Sequence, residues 1–193
     1  MRVLNLGLAA LRTVQALDYP KYLAATWVMA TEMGRLYGDR NRADGRDLSQ
    51  RSLSVLRAAI DAPIHEVQAT ARDLFFEWLD LMGIEYEPED PDDVSEVDVD
   101  VEPGVLNLWF TIRDVMAELA AEAPPYSGIS RLTLAVEMFE ETDSDRGVIV
   151  INTWEVTEDS FTATTLAKFH TVAELVQQGN LAPEAVRAEA FGW

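Results

Sequence analysis

The stretch EYEPEDPDDVSEVDVDVEPG, residues 85–104, carries ten carboxylates and no basic residue. Charge at that density stays in water, because burying an unpaired carboxylate is costly. The stretch therefore divides the chain. Its first part, EPEDPDD, holds two prolines and no apolar residue, and reads as a solvated loop. Its second part alternates, with Val97, Val99 and Val101 on one side and Asp98, Asp100 and Glu102 on the other. That is the pattern of a half-buried strand, with a carboxylate row that resists edge-to-edge aggregation. Pro103 and Gly104 are expected to end it.

The segment before the stretch reads as an array of about four helices. Leu4, Leu8, Leu11 and Val14 or Gln15 recur on successive turns of a first amphipathic segment at 3–17. Asn5 and Arg12 interrupt its apolar run, so it reads as a folded helix and not as a signal peptide. Asp18 is the expected cap of a second helix, about 20–37, with Pro20 in its first turn. Tyr22, Leu23, Trp27, Val28, Met29, Met33 and Leu36 make this helix apolar around most of its circumference, which predicts burial. Asp47 with Gln50 forms an expected capping box for a third helix at 48–60. A fourth helix runs from Pro63 to Met82 with Gly83 as its stop. Ile64, Val67, Ala71, Leu74, Trp78 and Leu81 make its expected buried stripe, and Glu66, Asp73, Glu77 and Asp80 lie along another face.

After the stretch, a fifth helix is expected at 106–122, stopped by Pro124-Pro125. Two long strands follow, ISRLTLAVEMFEE and GVIVINTWEV, joined by a hairpin through TDSDRG. A helix at 161–178 ending at Gly179, then a short helix from Pro183, complete the chain. The expected fold is thus α+β and predominantly helical. Residues 1–86 form a helical region, 87–96 an acidic linker, and 97–193 an α+β region with a three-stranded antiparallel sheet. Whether the two regions make one domain or two is open at this level.

Composition narrows the function. The chain has 34 Asp and Glu against 15 Lys and Arg, a formal charge of −19. That balance disfavours direct nucleic-acid binding and anionic membranes. Only Lys21 and Lys168 are lysines among the cations. Such a skew fits either a GC-rich genome or adaptation to a salty interior. No uninterrupted apolar run reaches about 18 residues, so no spanning helix is expected. Cysteine is absent, which removes disulfides, thiolate nucleophiles and sulfur-ligated metals. The expected location is the cytoplasm or the inside of a virus particle or other large assembly, without secretion.

Motifs of chemistry are sparse. DRNRADGRDLSQ resembles a calcium loop only superficially: its glycine is one place late, and Gln50 stands where the last carboxylate belongs. Three arginines there, Arg40, Arg42 and Arg46, would repel the ion. The spacing of helices three and four fits a helix-turn-helix. The second of them, however, presents mostly carboxylates, the wrong groups for base edges. His170 with Glu174 one turn on is a candidate general-base pair, but no nucleophile or phosphate-cradling loop accompanies it. No cofactor, metal or catalytic residue is assigned.

The expectation is a non-catalytic interaction or assembly subunit whose partner is a basic protein or another copy of the chain. The alternative is an acidic inhibitor: a toxin-immunity protein, an antitoxin or a nucleic-acid mimic. A carboxylate- or histidine-based enzyme ranks third. Candidate contact residues are Glu66, Asp73, Glu77, Asp80, Asp98, Asp100, Glu102, Arg40, Arg42, Arg46, Trp109, Phe191 and Trp193.

Overall fold

A computed structural model describes residues 12–14, 16–84, 99–121, 131–133, 135–136, 161–179 and 182–192. Among them six helices are complete: α1 Tyr19–Leu36, α2 Ala43–Asp61, α3 Ile64–Met82, α4 Pro103–Ala120, α5 Phe161–Gln178 and α6 Pro183–Phe191. No strand occurs among the described residues.

Helix α1 is the hub. It starts where the Asp18 side chain accepts the Lys21 backbone N–H at 3.1 Å, with Pro20 in the first turn. Its apolar circumference is explained by its neighbours, for α2, α4, α5 and α6 all pack against it. The other layer is formed by α2, α3 and α4, with α3 and α4 making the most extensive pairing. There Trp78 and Trp109, both without exposed surface, meet at 5.7 Å between ring centroids. Each indole N–H has a partner: Trp78 donates to Ser52 Oγ at 3.0 Å, and Trp109 to Asn41 Oδ1 at 3.1 Å. Two buried indoles are thus held without an orphaned donor. Residues from both sides of the acidic stretch contribute to one hydrophobic core.

The α+β expectation fails at two described places. Residues 99–102 form no strand: Val101 N–H bonds to Val99 O within the same segment at 3.0 Å, leaving no ladder to a neighbour. Pro103 is the first residue of α4 and not a stop, because its fixed φ suits a first helical turn and its missing N–H costs nothing there. In the expected strand at 129–141, residues 131–133 and 135–136 are helical. Leu132, Ala135 and Val136 are all fully buried. Their i, i+3, i+4 spacing is one face of a helix, and it coexists in this sequence with the period-two pattern read as a strand. The expected strand at 147–156, the linker at 87–96 and the first segment up to residue 11 lie outside the described residues.

Two helices begin three residues or more before their expected starts, α4 at Pro103 and α2 earlier still. The α2 helix begins at Ala43, five residues before the expected start, and no side chain caps it. Asp47 sits inside the helix and holds Arg51 at 3.0 Å, so the expected capping box is not formed. The stops at Gly83 and Gly179 stand as expected, both glycines having positive φ.

Candidate functional site

The arginines are the first guide to the surface, because most of the described ones are spent inside the chain. Arg51 on α2 grips Glu77 on α3 through two hydrogen bonds of 2.6 and 3.0 Å, and also holds Asp47. Arg57 on α2 does the same to Glu184 on α6 while pairing with Asp61. Arg42 pairs with Asp44. These hydrogen bonds hold the Glu77, Glu184 and Asp44 carboxyls below the usual carboxylate range. Arg40 lies 3.7 Å from Glu102, the half-buried residue just before α4. Arg46 donates to the Gly38 carbonyl at 2.8 Å.

The outer side of α3 is different. Glu66, Asp73 and Asp80 are exposed, and none pairs with a described cation. Among them stands Phe76, 46 % exposed, the one large hydrophobic residue so exposed among the described residues. It lies three residues after Asp73 and four before Asp80, so all three share a face. Its ring meets Phe75 edge-on at 5.4 Å, and Phe75 reaches into the core. The carboxylate row was legible from spacing. The exposed ring was not, because a phenylalanine beside a buried stripe carries no sequence mark of which way it turns.

The remaining candidates scatter. Trp109 lies wholly in the core, and its neighbour Phe110 is clamped between Arg113 and Arg131, whose guanidinium carbons are 4.7 and 4.5 Å from the ring centre. Phe191 is half-buried against Phe169. Asp100 is exposed. Asp98 and Trp193 lie outside the described residues.

Two buried carboxylates escaped sequence reading. Glu32 on α1 is 0 % exposed and accepts from Arg35 Nε at 3.1 Å and from Arg187 Nε on α6 at 2.5 Å. Glu118 on α4, also buried, accepts from the Tyr22 hydroxyl at 2.9 Å. Burial, and then the Glu118 charge, push the Tyr22 hydroxyl pKa far up, so this tyrosine stays neutral. His170 Nε2 does lie 3.5 Å from Glu174 Oε1, as the spacing implied. No nucleophile joins the pair among the described residues. A shallow groove of about 410 Å³ between α1 and α2 is lined by Trp27, Thr31, Gln50, Leu53, Ser54 and Arg57. Among the described residues no cluster of three or more His, Asp or Glu is placed to hold a metal ion. Nor is any described helix long and apolar enough to cross a membrane.

No family model matches the chain, and no curated protein or solved structure is significantly similar to it.

Proposed function

We propose that the chain is a non-catalytic protein–protein interaction subunit that receives a cationic partner on the outer face of α3. The observation that carries this reading is the exposed Phe76 set between the unpaired carboxylates of Asp73 and Asp80. An aromatic anchor with a charged surround is the arrangement from which binding hot spots are made. The carboxylates would steer a basic surface and fix its register, and the ring would supply the apolar contact. Assembly into a larger complex is the role this fits.

Nucleic-acid mimicry fits the same face less well. Glu66, Asp73 and Asp80 are each seven residues apart, about 10.5 Å along a helix, much wider than the roughly 3.4 Å rise between phosphates of one strand. A phosphate row also has no counterpart to Phe76.

The test is titration with a synthetic lysine–leucine amphipathic peptide at several salt concentrations. Phe76→Ala should weaken binding about tenfold or more and leave the salt slope unchanged. Asp73→Asn with Asp80→Asn should flatten the salt slope. Binding of the Phe76→Ala variant as tightly as wild type would overturn the proposal. With a natural partner in hand, loss of that partner's activity on binding would mark an inhibitor, and retained activity an assembly subunit.

A further inference from the structure

Helix α6 is held differently from the rest of the molecule. It has nine residues, too few for an isolated helix to persist in water. Its helicity therefore depends on docking. The inward stripe is Pro183, Val186, Arg187 and Ala190, so the buried apolar side chains are small ones. By contrast, α1 buries Tyr22, Leu23, Met29 and Met33.

Charge supplies much of what the apolar stripe lacks. Arg187 reaches the fully buried Glu32 of α1, whose other oxygen is taken by Arg35. Glu184 is gripped by Arg57 of α2, which lies 5.8 Å over the Trp27 ring. A further contact, Phe191 with Phe169 and Lys168 on α5, closes the far end. Glu32 is a costly group to keep dry, and its recovery of water on exposure offsets part of the cost of uncovering it. A face built on a buried carboxylate opens more readily than one built on leucine.

We infer that α6 is a releasable latch, closed by the Glu32–Arg187 and Arg57–Glu184 ion pairs, that opens locally while α1–α4 stay folded. Opening releases Arg57 from Glu184, exposes Glu32 to water with Arg35 still beside it, and bares the α1–α5 seam. The two pairs differ in character. Glu184 is more than half exposed and its pair is screened by salt, whereas the buried Glu32 pair is screened far less.

The experiment is hydrogen exchange of the intact protein, resolved by segment, in 0.05 M and about 1 M KCl. The expected result is opposite movement, with α6 amides exchanging a few-fold faster in high salt and α1–α4 amides unchanged or slower. Glu184→Gln should speed α6 exchange up to about fivefold and abolish its salt response. Arg187→Gln should speed it about a hundredfold, because it unpairs one side of a buried carboxylate. The inference is overturned if α6 exchanges in step with α1–α4 at both salt concentrations, or if Glu184→Gln leaves the salt response of α6 intact. The wild-type salt series and the exposed Glu184 variant decide the matter even if the Arg187 variant does not fold.

Discussion

At Gly45 and Gly104 a buried ring from elsewhere in the chain sits close enough to forbid a side chain. A Cβ on Gly45 would stand 2.2 Å from Trp109 Cζ2, and one on Gly104 only 1.8 Å from the Tyr37 hydroxyl oxygen. Both contacts are with fully buried rings that cannot step aside. Gly45→Ala and Gly104→Ala should therefore each destabilise the fold by about 1–3 kcal/mol, read as a lower urea midpoint. Tyr37 adds a tie of its own, donating to the carbonyl of Ala135, one of the helical residues 135–136, at 2.6 Å. Tyr22 and Tyr37 both have hydroxyl pKa values raised chiefly by burial. Groups raised in the folded state contribute stability that is whole below the unfolded value, near pH 10, and is lost as pH climbs toward the folded one. Unfolding free energy measured from pH 8 to 12 should hold level and then fall above about pH 10. Tyr22→Phe, measured at neutral pH, should cost about 1–3 kcal/mol by removing the hydroxyl that donates to the buried Glu118.

At the scale of elements, most punctuation was readable, the capping box at Asp47 and the stop at Pro103 excepted, and pairing was not. Asp18, Pro20, Pro63, Gly83, Gly179 and Pro183 mark helix ends through their own backbone and side-chain chemistry, and all do so here. The two strand assignments that fall on described residues failed because a strand is defined by its neighbour. Val99 and Val101 alternate correctly but hydrogen-bond locally, and Leu132 fits either period. The ion pairs between helices lead to a pH prediction. The Glu77 and Glu184 carboxyls are depressed by Arg51 and Arg57, so the stability they contribute is present above the unfolded carboxylate value and lost as pH falls below it. Both residues are about half exposed, so the effect is shallow and screened by salt. Stability should decline as pH falls below about 4.5, and the Glu77→Gln, Glu184→Gln double variant should show a flatter decline.

For the whole molecule the governing quantity is the charge of −19. Internal pairing of most described arginines leaves the excess carboxylates on the surface, where they repel one another. The melting temperature should rise as KCl is raised from 0.05 to about 1 M, over the range in which the Debye length falls from above 10 Å to about 3 Å. A melting temperature that is flat or falls with salt would show that repulsion is not what limits this fold. Sequence by itself determined the helical character of the described residues before the acidic stretch, the burial of α1, the carboxylate face of α3 and the absence of cysteine. These follow from local periodicity, capping residues and composition, which act over a few residues at a time. Tertiary structure alone decided that residues 131–133 and 135–136 are helical and that Trp109 is interior. It also brought Glu32 to Arg187 and Tyr22 to Glu118, across 155 and 96 residues. Such pairs depend on which faces meet, and a face has no partner until the chain has folded.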